Sequence, residues 1–409
     1  MIEEVRRWAE KTVMDSVFQR RVVFLSGARQ TGKTTLANAL PLENAVHVSM
    51  DDAASLASAG AEPDLFVNQN NGGILVLDEV QKAPELLLSI KKTVDKNRTP
   101  GQFLLTGSAN LRFAAAIHDS LAGRMRTIRL RTLSLAERLG RSDSFLEQAF
   151  QGRFARLVDS MDRKDLFRVA FEGGYPECLG FSPNERRAWF HGYVDDLLLK
   201  DVRDVTEIRK LDVLRTCLEF LAARSSKFFS MEELGAQCGI AKPTVENYLQ
   251  VLEALFLFEK VPAWTKTDYA KAGRRAKWFA SDSGLVANVL SWNEAEAVQD
   301  PDRVGKLLET WVHHELAVRV DLHGGCTLSH YRDSEKREID FLVEDGENRM
   351  LGIEVKAGAV VRPDDFRHLR WFGEHLAPGP FTGIVLHTGD SVLPFGERLF
   401  AVPLAAFGE

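Results

Sequence analysis

Gly27-Ala28-Arg29-Gln30-Thr31-Gly32-Lys33-Thr34 spells a complete G-x-x-x-x-G-K-[ST] phosphate loop, and Thr35 follows directly. The backbone amides of such a loop and the start of the helix after it cradle a polyphosphate. Lys33 reaches the outer phosphates, and the Thr34 hydroxyl is a ligand for Mg²⁺. Gly27 through Thr35 are therefore the expected ATP-binding residues. A second pair, Asp78-Glu79, closes an apolar run. An aspartate at the tip of a strand beside the loop holds Mg²⁺ through water, and a glutamate directly after it polarises the attacking water. The ordinary alternative for Asp78 is a helix N-cap ahead of Gln81-Lys-Ala-Pro84. Together the two motifs point to ATP hydrolysis.

Further polar candidates follow. Gln102-Phe-Leu-Leu-Thr106 ends in Gly107-Ser108-Ala109-Asn110, where Ser108 or Asn110 can touch the γ-phosphate or the water. In Leu121-Ala-Gly-Arg-Met-Arg-Thr-Ile-Arg-Leu-Arg131, arginines alternate with apolar residues. That pattern is either a solvated strand edge or a place from which Arg124 reaches the γ-phosphate of its own or a neighbouring subunit.

These residues need a scaffold. Arg21–Ser26, Ala45–Ser49, Gly73–Leu77 and Gln102–Thr106 read as apolar strands separated by helical segments. This is the pattern of a buried parallel sheet with crossover helices. Ahead of it, residues 1–20 read as an amphipathic helix with Ile2, Val5, Trp8, Val13 and Val17 near one face, packed on the nucleotide domain. From about 135 to 225 the chain reads as charged helices, a lid or connector, broken by Phe171-Glu-Gly-Gly-Tyr-Pro176. Ser230–Ile240 and Thr244–Leu255 then form a helix-turn-helix, followed by a strand pair whose loop holds Lys266, Lys271, Arg274 and Arg275. This unit reads as a winged helix. DNA contact through the basic wing and a purely structural or oligomerising role both remain open, because the exposed positions of its second helix include Glu246 beside Asn247 and Gln250.

The last hundred residues hold a second constellation. Glu338–Glu344 and Met350–Lys356 alternate around the turn Asp345-Gly-Glu-Asn-Arg349, with Ile339, Phe341 and Val343 on one face of the first strand. Symmetry about Glu347 sets Asp340 across from Glu354, with Lys356 two residues on. Opposed carboxylates repel, so a divalent cation between them is the chemical expectation, unless the face is simply solvated. Gly305-Lys-Leu-Leu-Glu309 offers a further glutamate, although Glu315 lies nearer the centre of the apolar face of residues 307–320.

Bulk properties agree with a multidomain globular chain. There are 409 residues, 45% hydrophobic and 27% charged, with a net charge of −6 that speaks against coating nucleic acid globally. Neither a leader nor a membrane anchor is expected, and the expected location is the cytoplasm. Cys178, Cys217, Cys238 and Cys326 are scattered and are expected to be buried and reduced.

In this order, the phosphate loop, Leu-Asp-Glu-Val-Gln-Lys-Ala-Pro, Leu-Thr-Gly-Ser-Ala-Asn, Leu-Ala-Gly-Arg, Gly-Gly-Tyr-Pro-Glu and the closing Glu-Ile-Asp-Phe and Glu-Val-Lys resemble the prokaryotic AAA-type ATPases with a C-terminal domain of unknown function. The resemblance spans essentially the whole chain. It implies an α/β architecture: an AAA-like P-loop ATPase domain (1–135), a helical connector (136–225), a winged helix (226–292) and a restriction-endonuclease-like α/β domain (293–409). The last part resembles a PD-(D/E)XK nuclease core, in which Asp340 and Glu354 hold Mg²⁺, Lys356 positions water or stabilises the transition state, and Glu309 completes the set. No second sensor arginine is evident on the lid, so the arrangement of subunits around ATP in an expected homo-oligomer stays open. Two functions compete: ATP-driven DNA processing with a cutting C-terminal domain, and a nucleotide-regulated switch whose winged helix and nuclease-like fold only bind.

Overall fold

The computed structural model describes residues 5–69, 72–108, 117, 119–154, 161–202, 210–267 and 275–409. The chain divides into two compact units. One contains residues 1–132, 195–211 and 250–256, and the other contains residues 133–194, 212–249 and 257–409.

The first unit is built on five strands: β1 (Val22–Ser26), β2 (Val46–Ser49), β3 (Leu75–Asp78), β4 (Phe103–Gly107) and β5 (Met125–Arg129). Their spatial order is β2-β3-β4-β1-β5, and every pairing is parallel. β4 therefore separates the strand that leads into the phosphate loop from the strand that ends at Asp78. Val22, Leu75, Leu77, Phe103 and Leu105 are buried because helices cover the sheet. The helix Leu86–Lys96 turns Leu86, Leu87, Ile90 and Val94 inward, each contributing roughly 2 kcal/mol of apolar burial. Before β1, the helix Ala9–Gln19 buries Val13 and Val17. Ile2 lies outside the described residues.

In the second unit, short helices and a two-stranded antiparallel ribbon, β6 (Phe258–Val261) with β7 (Lys277–Ala280), precede a six-stranded sheet. That sheet contains β8 (Thr327–Arg332), β9 (Glu338–Glu344), β10 (Met350–Val355), β11 (Phe381–His387), β12 (Leu393–Gly396) and β13 (Leu399–Pro403), in the order β12-β13-β11-β10-β9-β8. Asp300 caps the long helix Pro301–His323 by accepting from the amides of Asp302 and Arg303. Trp311, Val312 and Leu316 of this helix pack with Phe341, Val343, Leu351 and Ile353. Ile339 departs from the expected face: it joins Leu342, Leu369 and Phe372 in a separate cluster. Both faces of this sheet are covered, so apolar residues alone do not report which side is inward.

The sulfur atoms of Cys217 and Cys238, far apart in sequence, lie 2.8 Å apart, and Cys326 is only half-buried. All four cysteines are free. The helices Met231–Cys238 and Lys242–Ala254 occur where the helix-turn-helix is expected, with Glu246, Asn247 and Gln250 exposed. Of the wing cations, Lys271 and Arg274 lie outside the described residues. Among the described residues no helix is long and apolar enough to cross a membrane.

Candidate functional site

The phosphate loop runs from the end of β1 into the helix Lys33–Ala39. Two glycines are needed for steric reasons. A side chain at Gly27 would put its Cβ 2.2 Å from the Leu130 carbonyl oxygen, and Gly32 takes a left-handed φ of 91° to enter the helix. Gln30 is also left-handed, with φ 61°. Ala28 and Thr31 are buried, Arg29 is partly exposed, and Thr34 and Thr35 face solvent. The Thr31 hydroxyl donates to the Ala28 carbonyl across 3.0 Å and tightens the loop. The Lys33 ammonium donates to the carbonyls of Gly27 and Ala28 at 3.1 and 2.7 Å.

The ends of β3 and β4 complete the site. The Thr34 hydroxyl lies 2.9 and 3.1 Å from the two Asp78 oxygens. The Thr106 hydroxyl donates to the same carboxylate and lies 3.4 Å from the Glu79 amide as an acceptor. Glu79 is left-handed, with φ 54°, a conformation that costs of order 1 kcal/mol in a residue with a Cβ. Its carboxylate accepts from Gln81, and Ser108 Oγ is 3.4 Å away. Gln81 also donates to Ser108 at 3.1 Å. The loop, Asp78, Glu79 and the Thr106 and Ser108 hydroxyls thus meet at the carboxyl edge of one sheet. Thr34 and Asp78 together form an oxygen-only donor set of the kind Mg²⁺ takes. Asn110 lies outside the described residues.

Arg124 requires a correction. Met125 stands opposite Val22 and Arg129 opposite Ser26, so Arg124 sits at the amino edge of the sheet, roughly 15 Å of strand from its own loop. Its guanidinium instead donates to Asp95 at 2.8 Å and to the Ala122 carbonyl at 2.9 Å. Reach to the γ-phosphate of its own chain is excluded by that register. Arg7, by contrast, carries no motif. It is buried, and it donates to the carbonyls of Thr31 and Arg131 at 2.7 Å each, tying the loop to the end of β5. A lone arginine ahead of a helix gives no sequence signal of this contact.

The C-terminal hairpin pairs Met350 with Glu344 and Ile353 with Phe341, a register symmetric about Glu347. Continuing it by one residue sets Asp340 opposite Glu354. Asp340 Oδ2 accepts from the Val355 amide at 3.0 Å, and Lys356 Nζ lies 3.5 Å from Glu354. Burial pushes the Glu354 carboxyl well above the usual range, and the Asp340 charge pushes it further. Glu309 joins this cluster, and burial and Asp340 push it up to about 7. Glu315 does not join it: its carboxylate accepts from the Leu135 amide at 2.8 Å and from Arg319 at 2.7 Å, inside the core.

The residue at the centre of this group carries no motif. Lys277, only 2% exposed, puts its ammonium 2.6 Å from Glu338, 3.3 Å from Asp340 and 3.9 Å from Glu309. Burial opposes its charge, but the three carboxylates more than offset that and raise its pKa. With the ammonium there, both Asp340 oxygens are engaged. Among the described residues no three acidic or metal-ligating groups converge as a metal shell would. A metal ion at Asp340 would have to displace the Lys277 ammonium from one of its oxygens or the Val355 amide from the other.

Comparison with known proteins matches residues 19–139 to a family model described as an AAA domain, and residues 163–296 and 304–407 to two different models each described as a domain of unknown function. Proteins described as uncharacterized from Mycobacterium bovis and Mycobacterium tuberculosis are each 25% identical over 97% of this chain and 83% of their own. Among solved structures, RuvB of Thermotoga maritima aligns with 63% of this chain and 90% of its own at 18% identity, TM-score 0.29. A signal-transduction ATPase with numerous domains from Pyrococcus horikoshii aligns with 78% of this chain and 50% of its own at 15% identity, TM-score 0.27. At these scores neither structure adds to the assignment. The family match and the loop-bearing parallel sheet make residues 19–139 an AAA-type P-loop module of an α/β protein.

Proposed function

We propose that the chain is a Mg²⁺-dependent ATPase working as a nucleotide-regulated switch, in which the parts beyond the P-loop module bind a partner. The observation that carries this reading is the chain of contacts from the Thr34 hydroxyl through Asp78 to Thr106, with Glu79 and Ser108 beside it. In the proposal, the amides of Gly27 to Thr35 hold the polyphosphate. Lys33 exchanges its two loop carbonyls for phosphate oxygens, which preserves its charge-assisted hydrogen bonds. Thr34 and Asp78 would hold Mg²⁺, which neutralises phosphate charge when bound. Glu79 takes the proton of the attacking water, and Ser108 orients that water. Arg124, turned from its own loop, serves the ATP site of a neighbouring subunit in a homo-oligomer. Glu79→Gln is the direct test: it should retain ATP and lose turnover, and hydrolysis at the parental rate would remove Glu79 from this role.

A second reading is phosphodiester cleavage at the hairpin, favoured by the opposition of Asp340 and Glu354 with Lys356 alongside. In that reading the helix-turn-helix and ribbon act as a winged helix on DNA, and the six-stranded sheet is a nuclease-like fold. It requires Lys277 to leave the cluster. Purified protein incubated with DNA and RNA, with and without ATP and Mg²⁺, separates the readings: cleavage abolished by Asp340→Ala favours cutting, and intact nucleic acid on every substrate favours the switch.

A further inference from the structure

Lysine is an unusual residue to bury. It presents a compact, strongly hydrated charge with three donors and no acceptor, and taking it out of water costs several kcal/mol unless paired charges offset the loss. Lys277 is 2% exposed on β7, and the Phe228 ring lies 5.5 Å from its ammonium. Its surroundings are arranged for a cation. Glu338, Asp340 and Glu309 approach from two different elements, β9 and the helix Pro301–His323. Glu354 adds a fourth carboxylate across the hairpin. Three other cations answer these acids from the outside: Lys227 is 3.7 Å from Glu309, Arg332 is 3.6 Å from Glu338, and Lys356 is 3.5 Å from Glu354. Four carboxylates therefore face four basic side chains. A cavity of about 540 Å³ opens beside them, lined by Lys277, Glu309, Glu338, Asp340 and Arg332 among others.

We propose that Lys277 is the resident cation of this acidic cluster, taking the place that a divalent ion would otherwise occupy and keeping the cluster free of metal. The chemistry favours the exchange because an ammonium and a small divalent ion compete for the same carboxylate oxygens. The ion needs them at about 2.0–2.6 Å and stripped of other donors. The ammonium reaches them at hydrogen-bond distance on a stem that β7 holds in place. The inference does not depend on the ATPase reading, since it concerns residues of the second unit alone.

The test is Mn²⁺ binding to the full chain, followed by the loss of the free-ion spectrum, with no nucleotide present and with Asp78→Asn to silence the phosphate-loop carboxylate. In that background the protein should bind no Mn²⁺ at the cluster. Adding Lys277→Ala should create uptake that Asp340→Asn removes, and Mn²⁺ should raise the melting temperature of the Lys277→Ala chain only. Uptake by the chain that keeps Lys277, abolished by Asp340→Asn, would overturn the proposal. So would a folded Lys277→Ala chain that takes up no Mn²⁺. If Lys277→Ala does not fold, the Lys277→Ala/Asp340→Asn double variant, with one repelling carboxylate fewer, should fold. Failure of that variant too would show that the lysine stem matters for packing and not for charge, and would also overturn the proposal.

Discussion

The Thr34 hydroxyl lies 2.9 Å from an Asp78 oxygen, although Thr34 opens the helix that follows β1 while Asp78 ends β3, and β4 lies between those two strands. The gap left by β4 is bridged because Thr106, at the tip of β4, donates to the same carboxylate. Asp78 is thereby fixed by two hydroxyls, one on either side. Replacing Thr106 with Val keeps the shape and removes the donor. Turnover of ATP should fall roughly tenfold, the equivalent of one hydrogen bond of about 1.4 kcal/mol, with little change in melting temperature. Steady-state hydrolysis across a Mg²⁺ titration checks this, and an unchanged Mg²⁺ dependence would remove Thr106 from the site.

Glu79→Gln should reduce hydrolysis by about 10²–10⁴-fold, the range expected for loss of a positioned base, while ATP still binds. Lys33→Ala should lose ATP binding itself. Equilibrium binding and single-turnover hydrolysis read the two effects separately.

Arg7 grips the loop through its Thr31 carbonyl and the end of β5 through its Arg131 carbonyl. Arg7→Ala should weaken ATP affinity and leave turnover at saturating ATP close to parental, because the residue shapes the loop without touching the water. Equal affinities for the variant and the parent would show that the loop holds its shape without it.

Arg124 points away from its own loop, so any action on ATP must come from a neighbouring chain. Arg124→Ala should then lower hydrolysis by about 10³-fold or more. Mixing it with Glu79→Gln should restore part of the activity, since hybrid sites pair an intact Glu79 with an intact Arg124. No recovery at any mixing ratio would leave Arg124 as the partner of Asp95 alone.

Glu309 gives a pH signature. Its folded pKa, about 7, lies above the ordinary carboxylate value. Between those limits the folded state holds the proton more tightly, so the Glu309 contribution is fully present at low pH and lost as pH rises through about 7. Relative to Glu309→Gln, the parent should therefore lose stability between pH 5 and pH 8, by up to about 3 kcal/mol. Denaturant unfolding of both proteins at the two pH values measures the difference.

Local rules reach some of these features and not others. The phosphate loop, the Asp78-Glu79 pair, the parallel strands and the register of the C-terminal hairpin were legible because each depends on residues adjacent in the chain: glycine spacing, apolar runs and the symmetry of a turn. Helix periodicity favours Glu315, yet Glu309 is the glutamate beside Lys277, since a buried glutamate bound to Arg319 and a cluster glutamate look alike on a helical wheel. Arg124 failed in cis because strand order and direction, not the motif, decide which edge of a sheet a residue occupies. Arg7 and Lys277 were invisible for a related reason. Each is a single cation whose partners come from elements distant in sequence, and only tertiary packing brings the Thr31 carbonyl to the first and three carboxylates to the second. The sequence by itself determined the phosphate loop and the acidic pair beside it, through local spacing. The tertiary structure decided which cation sits among the C-terminal acids, because charge pairing across the fold depends on distance in space.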